Sequence, residues 1–127
     1  MTAFTPLEQT AISAIVDEAF EQRSVIKQQL DYANVLTRVN TGRGFYTEFD
    51  VPTGLDRLDA TISAVGLNVY LGIEGLAYGL GMILHFKDGC AHLLEGYSIG
   101  GDTSAINFAC VRYALIAQPG PLPTNVA

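Results

Sequence analysis

The amino-acid sequence predicts an α+β domain in which an N-terminal helix or helix pair packs on a mostly antiparallel sheet of about five or six strands. Two observations support this fold class. Apolar residues recur at helical spacing over residues 1–33, and in most of the chain beyond them they alternate with polar residues as in strands. Turn residues separate the alternating runs, most clearly at Lys87-Asp88-Gly89, so neighbouring strands are expected to form hairpins. We therefore predict one domain, with a helical layer over 1–33, a sheet over 34–117 and an extended tail over 118–127.

The N-terminal segment has the features of a capped amphipathic helix. Thr5 can cap the helix, Pro6 fits its first position, and Glu8 completes a capping box. The residues predicted to face the sheet recur every three or four positions: Leu7, Ala11, Ile12, Ile15, Ala19 and Phe20. A second, shorter helix capped by Ser24 is expected to follow, and the alternative is one bent helix. The inner face of that second helix is predicted at Val25, Ile26 and Leu30.

The rest of the chain alternates strand-like runs with turns. Residues 35–51 predict a first hairpin, with turn residues at 40–44 and an end at Pro52. Residues 53–66 predict a mostly irregular excursion. Further strands are predicted at 69–73, 80–86, 90–94 and 108–116. The proline-containing tail at 118–127 has neither helical nor strand periodicity.

The composition argues against several classes of function. The net charge is −6 and the seven basic residues are scattered singly, so there is no basic patch for nucleic acid. No apolar run approaches the ~18 residues that span a bilayer, and the N-terminus lacks the features of a secretory signal. Cys90 and Cys110 are too few for a disulfide framework, so we expect buried free thiols and a cytoplasmic location. No motif indicates a cofactor.

The low charge content predicts self-association. Charged residues make up 16% of the chain, whereas ~25% is typical of globular domains. A single domain of this size needs more charge to cover its surface, so we expect a homo-oligomer in which a second copy covers one face. The negative net charge also suits a basic protein partner.

The two histidines are the first candidate site. If Asp88-Gly89 form a two-residue turn, His85 lies opposite His92 and Lys87 opposite Cys90, so His85, His92 and Cys90 could share a metal. A three-residue loop instead places His85 and His92 on opposite faces. The chain has no fourth ligand at a recognisable spacing, so we interpret both residues as ordinary strand histidines and predict no metal site.

Glu95 is the second candidate because it lies within an otherwise apolar strand. A carboxylate buried without a partner would have a raised pKa and could act as a general acid or base. We expect instead that it pairs with backbone amides or with an arginine, for example Arg38, Arg43 or Arg112. If a ligand binds beside Glu95, the tyrosines expected around it are Tyr46, Tyr78 and Tyr97. No residue is predicted to be catalytic.

Four segments together carry a family resemblance: residues 41–49 (TGRGFYTEF), 75–84 (GLAYGLGMIL), 88–89 (DG) and 94–97 (LEGY). In this order the chain resembles a group of small uncharacterised bacterial proteins with T-G-x-G-F-x-T-x-F, G-L-x-x-G-x-G-F, D-G and L-E-G-Y stretches. The resemblance covers about residues 25–100. It implies a compact α+β protein of bacterial origin, and it implies neither an activity nor a catalytic residue.

Two hypotheses about function follow. The first is a non-enzymatic, homo-oligomeric module that binds another protein, in the manner of a small acidic immunity or antitoxin-like factor. The second is a small-ligand-binding protein or enzyme with a pocket around Glu95 and the nearby tyrosines. A flat apolar face favours the first hypothesis, and a deep concavity beside Glu95 favours the second.

Overall fold

The computed structural model describes residues 3–124, which form two α-helices and six strands and confirm the predicted α+β class. The helices are α1 (Pro6–Glu18) and α2 (Arg23–Asp31), joined by a single 3₁₀ turn at Phe20–Gln22. The strands are β1 (Asn34–Asn40), β2 (Gly44–Asp50), β3 (Ala64–Ile73), β4 (Leu80–Lys87), β5 (Cys90–Ser98) and β6 (Tyr113–Ile116). Within this part of the chain, no helix is long and apolar enough to cross a membrane.

All six strands belong to one sheet in the order β1-β2-β5-β4-β3-β6, and every neighbouring pair is antiparallel. The hairpin of β4 and β5 lies at the centre, as its turn predicts. Asp88 and Gly89 have φ values of 53° and 79°, which is the pair of positive angles that a tight hairpin turn requires. Both helices lie on the same side of the sheet, so the other side has no helical cover.

Helix α1 begins as the sequence predicts. The Thr5 hydroxyl accepts a hydrogen bond from the Glu8 amide, and Glu8 in turn accepts one from the Thr5 amide. Leu7, Ile12 and Ile15 are buried against the sheet, but Phe20 is 72% exposed and its predicted role in docking is wrong. The helix ends before Phe20, whose ring instead lies 4.7 Å from the guanidinium carbon of Arg23.

The chain forms two separate helices, and Ser24 does not cap the second. Helix α2 starts at Arg23, one residue before Ser24, and its N-cap residue Gln22 makes no side-chain cap. The helix is held by its buried face, formed by Ile26, Gln29 and Leu30. Tertiary packing therefore takes the place of the missing cap, as is common for short helices.

Gln29 connects the helical layer to the central hairpin. Its side chain is fully buried, and its amide nitrogen donates to the carbonyls of Asp56 (2.8 Å) and Gly89 (3.0 Å). Its amide oxygen accepts from the backbone of Ala91 at 2.9 Å. One side chain thus bonds three backbone groups, of which those of Gly89 and Ala91 are buried and would otherwise be costly to desolvate.

A buried ion pair fixes α1 to β1. Glu8 is 3% exposed, and its two carboxylate oxygens accept hydrogen bonds from Arg38 Nε (3.0 Å) and Nη2 (2.9 Å). The Thr47 hydroxyl and the Thr5 amide donate to the same carboxylate. Burial alone would raise the pKa of Glu8, but the hydrogen bonds from Arg38, Thr47 and Thr5 and the charge of Arg38 outweigh it and lower the pKa.

The C-terminal part of the sheet is shorter than predicted. The last strand covers only Tyr113–Ile116, because the side chain of Asn107 accepts a hydrogen bond from the Ala109 amide and turns the chain at 107–111. Cys110 lies in that turn and is exposed, and Cys90 is half-buried, so the prediction of buried thiols is wrong, although both cysteines are free. The tail does pack: Leu122 lies against Gly72. The predicted tail residues 125–127 lie outside the described part of the chain.

Candidate functional site

The candidate site is the side of the sheet that the helices leave uncovered. Strand residues alternate between the two faces, and the buried side chains of β2, β4 and β5 all point toward the helices. We call the opposite side the open face. The residues that the strand register places on it include Thr37, Val39, Tyr46, Glu48, Asp50, Tyr70, Ile83, His85, Lys87, Cys90, Leu93, Glu95, Tyr97 and Ile116.

The register of the central hairpin differs from both predicted alternatives. Lys87 pairs with Cys90, as a two-residue turn requires, but the register shifts by one residue beyond it and His85 pairs with Leu93. The extra residue in β5 is His92, which makes a β-bulge. His85 therefore does not lie directly opposite His92. Within residues 3–124, no cluster of three or more potential metal ligands is present.

The bulge brings His85 and Glu95 together on the open face. His85 Nε2 lies 2.8 Å from Glu95 Oε1, and both side chains are less than one-third exposed. Glu95 is thus paired, as expected, but its partner is a histidine rather than an arginine. The three arginines considered for this role lie elsewhere: Arg38 binds Glu8, Arg112 binds Glu74, and Arg43 lies in the β1–β2 turn.

The tyrosines expected around Glu95 are only partly brought together. Tyr46 lies directly opposite Glu95 on β2, and Tyr97 lies two residues along β5 on the same face. Tyr78 is 58% exposed in the β3–β4 connection, away from Glu95 and beside Ile99 and Gly100. The structure therefore assembles two of the three candidates.

Tyr97 lies flat on the sheet because its neighbour on β4 is a glycine. A Cβ atom at Gly81 would overlap the Tyr97 ring, so only glycine leaves room for the ring to cross β4. Tyr97 is hydrogen-bonded to Tyr70 on β3, and burial, followed by the influence of Tyr70 and Glu95, raises its pKa. Because its ring is held against β4, Tyr97 adds a rigid apolar area to the open face.

The surface around Glu95 is a shallow depression. Its volume is about 360 Å³, and its lining residues are Thr37, Tyr46, Glu48, His85, Leu93 and Glu95. Burial, with the nearby charges of His85 and Lys87, lowers the pKa of His92, while Glu48 opposes this shift. His92 therefore stays neutral over a wider pH range than an ordinary histidine. The depression brings a histidine, two glutamates and a tyrosine together, but it is too shallow to enclose a substrate.

Sequence reasoning missed the His85–Glu95 pair and Tyr70. The pair depends on the one-residue bulge. In a two-residue hairpin without the bulge, Glu95 would lie opposite Met82, and its side chain would be on the other face of the sheet from His85. Tyr70 was visible as a strand residue, but its contact with Tyr97 requires the β3–β4 pairing and Gly81 between them. Glycine within a strand is the only signal that could have indicated this close approach.

Comparisons of the chain with protein-family models, with curated proteins and with solved structures gave no match. Its function is therefore inferred from its own residues.

Proposed function

We propose that this protein is a non-enzymatic protein-binding module that forms a homodimer, and that a second copy docks on the open face. The observation that carries the proposal is the composition of the face at its centre. Ile83, Leu93 and Tyr97 lie there, and beside them His85 and Glu95 are bonded to each other. An apolar surface whose central carboxylate already has a hydrogen-bond partner is suited to burial against a second copy.

A two-fold dimer suits this face because it brings the same patch of each copy together. Two sheets then pack face to face at about 10 Å, as in β-sandwiches. In that arrangement Glu95 approaches its own copy, and the hydrogen bond with His85 reduces the cost of burying its carboxylate. Glu48 is exposed on β2 directly opposite Leu93, so the two copies must pack in a way that keeps its carboxylate in contact with water.

The size of the face is sufficient for a stable dimer. Five strands about 4.8 Å apart and about seven residues long form a rectangle of roughly 24 by 23 Å, or roughly 550 Å² per copy. Two copies then bury roughly 1,100 Å², which exceeds the roughly 1,000 Å² expected of a biological interface. The 16% charged fraction supports the same assembly, because so few charged residues cannot cover both the outer side of the helices and the open face of the sheet.

Dimerisation leaves an acidic exterior. Thirteen acidic residues outnumber seven basic ones, and the net charge of −6 favours a basic protein as the second partner. Together with the small size of the chain and its resemblance to small bacterial proteins, this supports an immunity or antitoxin-like role. The two free cysteines support a cytoplasmic location for it.

The proposal is tested by the mass of the protein in solution. Light scattering at micromolar concentration should give twice the chain mass of 13.6 kDa. Leu93→Lys places a charge at the centre of the open face and should give a folded monomer. Leu115→Lys is the matched control, because Leu115 is 53% exposed on the edge strand β6 and lies outside the open face.

A wild-type mass of one chain that persists up to about 100 µM, a concentration above the dissociation constant of any stable dimer, would contradict the proposal. So would dissociation caused by Leu115→Lys and not by Leu93→Lys. Circular dichroism of both variants separates dissociation from unfolding.

The alternative function, a ligand-binding protein or enzyme that uses Glu95, has one supporting observation. Glu95 is positioned to orient His85 as a general base beside the Tyr46 hydroxyl. The shallow depression around the pair argues against it, since catalytic and ligand sites enclose most of the bound molecule. The geometry therefore favours association through the face over chemistry on it.

A further inference from the structure

The helix side of the sheet contains a second concave surface, distinct from the open face. A cleft of about 420 Å³ lies between the first turn of α1, the β1–β2 hairpin and the loop at 104–109. This volume falls within the range of small-molecule sites, at its lower end. The apolar residues on the helix side that line the cleft are Leu7, Phe45, Ile106, Phe108 and Ala109.

The cleft is preformed, because both of its walls are fixed. The ring of Phe45 packs over Gly96, where a Cβ atom would overlap it, and lies 4.9 Å from the ring of Phe108 at a tilt of 48°. The Asn40 amide nitrogen donates to the carbonyls of Thr103 (2.7 Å) and Ile106 (3.0 Å), which holds the loop on β1. A site that needs no rearrangement loses less affinity to ordering on binding.

The polar side of the cleft offers hydrogen-bond donors without a net charge. Glu8 and Arg38 are the charged residues that line it, and they neutralise each other. Each Glu8 oxygen already accepts two hydrogen bonds, so the carboxylate has no capacity left for a cation. Arg38 donates through Nε and Nη2, and no residue within 3–124 accepts a hydrogen bond from its Nη1.

We propose that this cleft binds a small uncharged molecule that combines an apolar ring with a carbonyl-type acceptor. The ring packs against Phe45 and Phe108, and the acceptor receives a hydrogen bond from Arg38 Nη1. An anion would lie beside the Glu8 charge, and a cation would find no free acceptor there. Charge selectivity is therefore the distinctive property of the site.

The test uses three probes of similar size and shape, namely benzamide, benzoate and benzylammonium. Amide chemical shifts are followed by NMR as each probe is titrated into the full-length protein at pH 7. Benzamide should shift the amides of Phe45, Thr47 and Phe108 and bind in the millimolar range, as a probe this small allows. Benzoate and benzylammonium should each bind about fivefold more weakly or worse, because neither finds a counter-charge.

Two wall variants and a matched control make the test specific. Phe108→Ala and Ile106→Ala should each weaken benzamide binding about fivefold, the effect expected for loss of a ring or apolar contact. Phe20→Ala makes the same change as Phe108→Ala at a site 72% exposed and outside the cleft, and it should leave the affinity unchanged. Two wall variants are used so that loss of folding in one leaves the other informative.

The proposal would be overturned by an absence of shifts at the cleft with benzamide. Equal affinities for the three probes, or tighter binding of benzoate, would reject the assignment of an uncharged ligand. Equal weakening by Phe20→Ala and Phe108→Ala would show that the ring is bound elsewhere.

Discussion

Replacing Arg38 by methionine should destabilise the protein more than removing the charge of its partner Glu8. In Arg38→Met the side chain keeps its length, but a carboxylate that is 3% exposed loses its counter-charge and two hydrogen bonds. In Glu8→Gln the charge left behind is that of Arg38, whose side chain is 38% exposed and can reach water. The two partners therefore differ in what their removal costs.

The magnitudes follow from this asymmetry. Breaking a buried pair from one side costs about 3–5 kcal/mol, and the low end applies to Arg38→Met because Thr5 and Thr47 still donate to Glu8. Glu8→Gln should cost about 1–2 kcal/mol, the value of a charged hydrogen bond partly replaced by an amide. The double variant should lose less unfolding free energy than the two single variants lose in total, because it leaves no charge buried.

The contribution of Glu8 to stability should change with pH in opposite directions in the wild type and in Arg38→Met. In the wild type the pKa of Glu8 lies below its ordinary value of 4.5, so the contribution of the pair is complete above pH 4.5 and is lost as the pH falls through the lowered pKa. In Arg38→Met only the hydrogen bonds from Thr47 and Thr5 oppose burial, the largest cause, so we expect the folded-state pKa of Glu8 to rise above its ordinary value. The folded protein then binds the proton first, and this contribution to stability grows as the pH falls from 7.

Urea unfolding at several pH values between 3.5 and 7 measures both effects. Lys27→Met, which breaks the exposed pair of Lys27 and Asp31, is the control and should cost less than about 0.5 kcal/mol. At each pH, the difference in unfolding free energy between Arg38→Met and Lys27→Met separates the effect of Glu8 from that of the other carboxylates. A loss below about 1 kcal/mol in Arg38→Met, or a difference that does not change with pH, would refute the reasoning.

Two further predictions concern packing, and both are checked by the midpoint of urea unfolding. Ile15→Ala should cost about 2–5 kcal/mol because Ile15 is fully buried against the sheet, whereas Phe20→Ala should cost less than about 0.5 kcal/mol; equal losses would contradict the docking described for α1. Gly81→Ala should cost about 1–3 kcal/mol because the added methyl displaces the Tyr97 ring, and the loss should shrink when Tyr97 is also replaced by alanine.

The features that sequence reasoning predicted well are those set by neighbouring residues. The capping box of Thr5 and Glu8 needs only three residues of separation, and the turn at Asp88-Gly89 needs only its own two residues. Both are present in the structure as predicted. In β2 the alternation of Phe45, Thr47 and Phe49 with polar residues likewise matches the buried side of the strand, whereas in β1 Val39 is exposed.

The features that were missed depend on contacts distant in sequence. The bulge at His92 sits next to Ala91, whose amide is bound by Gln29 from the helical layer, 62 residues away. No local pattern indicates that contact, so the pairing of His85 with Glu95 was not predicted. In the same way, the turn made by Asn107 overrides the strand propensity of the residues that follow it.

The three hydrogen bonds of Gln29 also have a consequence for the order of folding. They join α2 to the excursion at Asp56, to the hairpin turn at Gly89 and to β5 at Ala91. We expect the helix to dock after the turn has formed, because before that the buried amide would lose water without gaining partners. The strands of the hairpin are joined by only two residues, so their contacts are local and are expected to form early, before the helical layer packs on them.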